Sequence, residues 1–253
     1  MRLRASLAAV VVLVLVVVVA PEATGGGGTP ITSCGQTLTT SAVLTQNLNC
    51  TGSGVIVGAS GITIDLKGFT LRANLATGYG IDDTGGFDNV TVKNGVLRNF
   101  SEGVLAWNGA DKFSVLNVVA SGNEFYGLDI RGDFIEIQSS IVSGNGNTGV
   151  NVVGDSASIK SLAASGNGVG IHLFGDSASI KSSTASGNDG YGITVLGNAA
   201  SLKSNHIDGN GFAGGSDLSG LGINVTNYTT PPVGKNTARG NDDPAECNPA
   251  LLC

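Results

Sequence analysis

Apolar residues fall on alternate positions in short runs, and the runs return at a nearly fixed interval. Phe113 with Val115, Ile135 with Ile137, Ala157 with Ile159, Ala178 with Ile180 and Ala200 with Leu202 each place two apolar side chains on one side of an extended segment. Alternation with a period of two predicts a strand that buries one face. Eight residues beyond the second apolar position of each run stands an asparagine: Asn123, Asn145, Asn167, Asn188 and Asn210. The first four close the motif Ser-Gly-Asn, the fifth closes Asp-Gly-Asn, and the intervals between them are 22, 22, 21 and 22 residues. After each of the first four comes a second alternating run entered through glycine: Gly127-Leu128-Asp129-Ile130, Gly149-Val150-Asn151-Val152, Gly170-Ile171-His172-Leu173 and Gly192-Ile193-Thr194-Val195.

A period this constant predicts a solenoid, in which one repeat is one coil of chain and buries its apolar face only against its neighbours. The coils are expected to stack in parallel, with strands joined by turns that need Gly, Asn or Ser. The five asparagines then form an inner ladder, each side-chain amide bonding the turn of an adjacent coil. The frame extends upstream, where Asn99 precedes Gly103-Val104-Leu105-Ala106 as Asn123 precedes Gly127, with Val90 and Val92 as the preceding strand. One coil earlier, Ile62, Ile64 and Leu66 lead to Gly80-Ile81-Asp82, and Leu38 to Val57 supplies an entry coil. Downstream, Gly211 to Gly220 interrupt the pattern before Leu221-Gly222-Ile223-Asn224-Val225 resumes it. In total this predicts roughly seven to nine coils.

The ends add a cellular context. Arg2 and Arg4 precede an apolar run from Leu7 to Ala20, shorter than the roughly 20 residues that a membrane span needs. It is expected to be an export signal over residues 1–24, with a retained anchor as the alternative. Residues 25–33, opening on Gly25 to Gly28, read as a flexible linker, and 34–253 as one elongated domain that becomes secreted or cell-surface with no membrane contact after signal removal. The four cysteines, Cys34, Cys50, Cys247 and Cys253, sit only at the two ends of that domain. Three pairings are possible. Sequence distance favours two local disulfides that fasten the ends of the stack, over metal ligation without a nearby histidine. A net charge of −6 argues against a nucleic-acid partner. Charged residues are only 13% of the chain and glycines number 40, which favours turns and strands over amphipathic helices.

The repeats resemble those of the right-handed parallel β-helix proteins of the pectin-lyase-like superfamily. The segment Cys34-Gly35-Gln36-Thr37-Leu38, then Leu48-Asn49-Cys50 and Ile62-Thr63-Ile64-Asp65-Leu66-Lys67-Gly68-Phe69-Thr70-Leu71, is similar to the N-terminal coils of exported bacterial members. The resemblance covers about residues 34 to 241 and implies an all-β, single-stranded right-handed parallel β-helix of about 22 residues per coil. It does not imply one reaction, because the fold hosts lyases, hydrolases, epimerases and adhesins. Tyr79-Gly80-Ile81-Asp82-Asp83 is distantly similar to the Tyr-Gly-Phe-Asp-Pro-His motif of alginate epimerases, with Asp83 and Thr84 in the places of Pro and His. Loss of that histidine removes a principal acid or base, and the strand is expected to end at Asp82. The Gly-His-Gly and Arg-Ile-Lys segments of polygalacturonases are absent.

Stacking turns single residues into rows. If Leu128 and Ile130 point inward, Asp129 points outward, and Asp82, Leu105, Asp129, Asn151, His172, Thr194 and Asn224 form an outer row. Such a polar row fits a linear polysaccharide; equally, it is the solvated face of a strand. Asp82, Asp83, Asp129 and His172 are the candidates for catalysis. Asp129, Asn151, His172, Thr194, Phe174, Lys160, Lys181 and Lys203 are the candidates for carbohydrate binding. Arg131, Val153, Phe174, Leu196 and Thr226 form a neighbouring row whose apolar members ask for a cover, for which the insertion carrying Phe212, Leu218 and Leu221 is placed, or for a partner. Lys160, Lys181 and Lys203 repeat at one position, and an anionic partner such as a polyuronate relieves their repulsion, as do solvation or nearby Asp155 and Asp176. Asp133, Asp155 and Asp176 follow glycines at equivalent turns, where stacked carboxylates suit calcium and Gly-Asp is also ordinary turn chemistry. His206 is expected to be a packed or capped side chain. The function expected is binding, with or without modification, of an extracellular polysaccharide, with no cofactor other than calcium in question. The alternative is a non-catalytic cell-surface or adhesive module.

Overall fold

The structure, a computed structural model, describes residues 28–211, 222–229, 232–241 and 246–253. The export signal and the first residues of the linker, together with the insertion expected to cover the apolar row, lie outside the described residues. Among those described, the chain is a parallel β-helix with no α-helix, only a short 3-10 turn at Ala250–Leu252. One sheet stacks ten strands in chain order: Gln36–Leu38, Val55–Val57, Tyr79–Asp83, Glu102–Ala106, Tyr126–Arg131, Thr148–Val153, Val169–Phe174, Ile193–Leu196, Ile223–Thr226 and Cys247–Asn248. Each pairs only with its predecessor and successor, so nine turns of chain separate the first from the last. We call this sheet the second face. The other sheet holds 15 strands and bends along its length, because most coils cross it as two short strands, such as Ser158–Lys160 and Ala163–Ser165.

Each central coil therefore has three sides and turns three corners, and left-handed residues make those corners. Asn94, Asn117, Ser139, Ser161, Ser182 and Ser204 occupy the first at φ 50° to 58°. Asn99, Gly122, Gly144, Gly166, Gly187 and Gly209 occupy the second, and Lys112, Phe134, Ser156, Ser177 and Ala199 the third. A non-glycine residue there costs about 1 to 2 kcal/mol, and asparagine and serine recover part of that through local hydrogen bonds. The Ser-Gly step of the repeat motif is the second corner.

The alternating positions face the core as the pattern predicts. Phe113, Ile135, Ala157, Ala178 and Ala200, and Val115, Ile137, Ile159, Ile180 and Leu202, are all at most 2% exposed. Inside the second corner runs the asparagine ladder. Asn145 Oδ1 accepts from the backbone N–H and side-chain Nδ2–H of Asn123 at 3.1 and 2.9 Å, and Asn167, Asn188 and Asn210 repeat the pattern. The ladder continues across the insertion to Asn241. At its other end the place of Asn123 belongs to Phe100, whose N–H donates to Asn123 Oδ1; Asn99 is a left-handed corner residue and not a ladder member. A second inner ladder, which the repeat alignment does not reveal, joins Ser183 to Asn205 and Asn205 to Asn236 behind the first corner. The glycines that open the second-face strands are small for a reason: a methyl on Gly127, Gly149 or Gly170 would lie 2.9 Å from the amide nitrogen of the next coil's ladder asparagine.

Both ends are fastened by the local pairings Cys34–Cys50 and Cys247–Cys253. The stack starts inside the segment expected to be linker, since Thr29–Ile31 pairs in parallel with Ala42–Leu44. Among the described residues no helix is long and apolar enough to cross a membrane.

Candidate functional site

The second face carries the densest chemistry on its outer surface. The outer row is in register as expected: Asp82, Leu105, Asp129, Asn151, His172, Thr194 and Asn224 are lateral neighbours. Asp129, expected as a solvated outward residue, is instead 1% exposed. Trp107, the only tryptophan, reaches down one coil and donates Nε1–H to Asp129 Oδ2 at 2.8 Å. Asn151 Nδ2 donates to Oδ1 at 2.7 Å. Arg131 comes within 3.7 Å of Oδ2 and lays its guanidinium over the Trp107 ring, 4.0 Å from the centroid. Leu105, also outward, is covered as well.

The next two members continue the chain of hydrogen bonds. Asn151 spends its NH₂ on Asp129, so its Oδ1 is an acceptor, and His172 Nδ1 lies 2.8 Å from it. Nδ1 therefore bears the proton, and burial lowers the pKa of His172, which makes Nε2 the basic nitrogen of a neutral ring. Thr194 follows, 6% exposed, with an Oγ1 that has no partner among the described residues.

Beside this row stands the residue that sequence reasoning missed. Glu102 occupies the position before the strand-opening glycine and is flanked on adjacent rungs by Tyr79 and Tyr126. It is 8% exposed, and among the described residues its Oε2 has no partner. Burial, then the neighbouring Asp129 charge, push its pKa up to about 7, against the lesser pull of Arg131. Both tyrosines are pushed upward by burial and by surrounding carboxylates, and Tyr126 Oη accepts from Asn147 Nδ2 at 3.2 Å. The signal was available: a lone acidic residue where the neighbouring coils carry Tyr79, Tyr126 and Thr148, five positions before the lone tryptophan.

The remaining candidates separate. Asp82 is tied to Ser53 and Thr84 through both oxygens. The strand does not end there as expected; it runs through Asp83, which turns inward and is fully buried. Asp83 Oδ1 accepts from the Phe87 N–H, Oδ2 has no partner among the described residues, and burial raises its pKa to about 6. Asp82, Asp83 and Asp129 are thus not brought together. Asp133, Asp155 and Asp176 each give Oδ1 to the backbone N–H of the next coil at 2.7 Å, which makes them a turn ladder that starts at Asp88 and Asp111. Among the described residues no group of three or more His, Cys, Asp or Glu side chains is placed to hold a metal ion. Phe174 is 51% exposed in its row, with Val153 and Leu196 half-buried. Lys160, Lys181 and Lys203 lie on the other sheet and share no surface row with His172. His206, expected to be packed or capped, points outward instead, 3.8 Å from Asp208.

Residues 148–247 match a family model described as right handed beta helix region. No curated protein and no solved structure matches the chain.

Proposed function

From a parallel β-helix, a fold compatible with carbohydrate-related or structural roles, we propose that this chain is an exported protein that binds a polysaccharide along its second face and transfers a proton to or from it through Glu102. The observation that carries the reading is the unpartnered Glu102 Oε2 between Tyr79 and Tyr126. A carboxyl that titrates near neutrality both donates and accepts protons at the working pH, which general acid–base catalysis requires. The tyrosines and Trp107 offer the flat apolar surface and hydroxyls that sugar rings use, and Asn151, His172 and Thr194 extend a hydrogen-bonding track over further rungs. The two disulfides suit an oxidising compartment.

His172 is three rungs from Glu102, about 14 Å along the stack, so the two do not act on one bond; His172 serves binding. Asp129 has both oxygens committed within the protein and holds the surface in shape. That commitment also favours a second reading, a non-catalytic surface module that binds glycan and nothing more. Incubating the purified protein with alginate, pectate and neutral glycans separates them. The first reading expects new unsaturated ends, inverted uronates or reducing ends, lost in Glu102→Gln while retention on the polymer persists. Retention without products from any polymer assigns the module, and no retention on any glycan refutes both.

A further inference from the structure

The bent sheet carries a feature that the second face does not explain. Lys160, Lys181, Lys203 and Lys235 occupy one register position in four successive coils. Lys235 lies beyond the insertion and rejoins the row only in three dimensions. All four are exposed. Among the described residues, the cations in ion pairs are Lys67, Lys93, Arg131 and His206, so none of the four is ion-paired there. Of the acidic residues five positions away in sequence, Asp155 and Asp176 bond backbone N–H groups of the next coil and Asp208 lies 3.8 Å from His206. Four like charges at a rung spacing of about 4.8 Å repel one another, and they do so on a chain whose net charge is −6.

The surroundings of the row are equally repetitive. Ser158, Ser179 and Ser201 sit two residues before the first three lysines, on the same side of the strand, because Ile159, Ile180 and Leu202 between them are buried. Ser161, Ser182 and Ser204 follow at the exposed first corner. Each of three rungs thus offers one ammonium and two hydroxyls. We propose that this row binds a linear polyanionic glycan that carries an acidic group on each sugar, laid along the axis of the stack. One rung rises about 4.8 Å, on the scale of one sugar residue, so acidic groups that recur along such a chain meet lysines at several rungs, and the serines take up ring hydroxyls. A single-stranded nucleic acid fits less well, because those strands need aromatic platforms for their bases and these outward positions hold serine and lysine, with Val233 beside Lys235, and no aromatic residue. The site is independent of the proposed second-face chemistry.

The test compares the full chain with the triple variant Lys160→Gln, Lys181→Gln, Lys203→Gln. Binding isotherms on polygalacturonate and on single-stranded DNA of equal charge are measured at about 50 and about 200 mM salt. The wild type is expected to bind polygalacturonate more tightly than DNA and to weaken with salt. The variant is expected to lose roughly tenfold in polygalacturonate affinity and most of the salt dependence. Its thermal midpoint, unchanged or raised, shows that it is folded. Retention on a neutral glycan reads the second face separately, so failure there leaves the lysine row untouched. Wild-type affinity in the triple variant overturns the proposal, as does tighter binding of DNA than of polygalacturonate.

Discussion

Replacing Asn167 by alanine tests the physical basis of the stack. Asn167 Oδ1 accepts from the N–H and Nδ2–H of Asn145 at 3.0 and 2.8 Å, and its Nδ2 donates to Val142 O and Asn188 Oδ1 at 3.2 and 3.0 Å. The residue is 0% exposed, so no water replaces these partners. Four net hydrogen bonds at about 1 kcal/mol each give a loss of about 4 kcal/mol, and the stranded Asn145 N–H adds to it. For a domain of this size that corresponds to a fall on the order of 10 °C in Tm. Because each coil touches only its neighbours, hydrogen exchange should accelerate first at the amides of the coils holding Asn145 and Asn188. Urea unfolding of Asn167→Ala against the exposed control Glu124→Ala measures the difference. A loss below about 1 kcal/mol, or one no larger than the control, would refute the claim that this ladder holds the coils in register.

Gly149→Ala should destabilise by a comparable amount, since its methyl would meet Val142 Cγ2 at 2.8 Å and Asn167 Nδ2 at 2.9 Å; thermal unfolding reads it, and a neutral effect would show that the corner yields. Glu102 sets a pH dependence. Its folded pKa of about 7 exceeds the ordinary glutamate value of 4.5, so its contribution favours the fold below about pH 4.5 and is lost as pH rises through about 7. The change is about 3 kcal/mol, and Glu102→Gln should flatten that part of the stability profile. Trp107→Phe removes a hydrogen bond to the buried Asp129 and should cost about 2 kcal/mol; in the wild type, fluorescence of this single tryptophan should change when a glycan occupies the second face. Opening Cys34–Cys50, separated by 16 residues, should cost about 3 kcal/mol, with hydrogen exchange locating the loss in the first coils.

The sequence showed the coil because its period is a property of local chemistry. A strand needs alternate apolar residues, a corner needs a left-handed residue, and both are written in each repeat. The outer row was equally legible, since side-chain alternation and stacking fix it without further information. Two things escaped. The fate of an outward side chain depends on its neighbours in adjacent coils, and no pattern within one coil says that Trp107 will cover Asp129 from the preceding coil. Glu102 escaped for a related reason: it precedes the strand-opening glycine, at a position where the alternation is broken by the corner, so its facing could not be counted off. Asn205 and Asn236 were hidden because 31 residues separate them and the insertion spoils the period there.

The same geometry explains why chemistry gathers on one face and charge on another. A coil is rigid at its corners, where left-handed residues and the inner ladders fix the backbone, and free only at its outward side chains. Substitution on one side leaves the other two unchanged, so each face can vary independently along the axis. On the second face, variation has produced a local site: Trp107, Asp129 and Arg131 interlock across two consecutive coils beside Glu102, whose carboxyl feels the Asp129 and Arg131 charges. On the bent sheet it has produced repetition instead, with Ser-Ile-Lys, Ser-Ile-Lys and Ser-Leu-Lys in three consecutive coils. A local site suits an event at one bond and a repeated row suits a repeating polymer. A ligand long enough to lie along the lysines would be held by many weak contacts of equal spacing, each additional rung adding affinity and salt dependence without demanding a unique register. Removing lysines one at a time should therefore weaken binding in graded steps. Loss of all binding on removal of Lys181 alone would mean that one ammonium, and not the row, recognises the ligand.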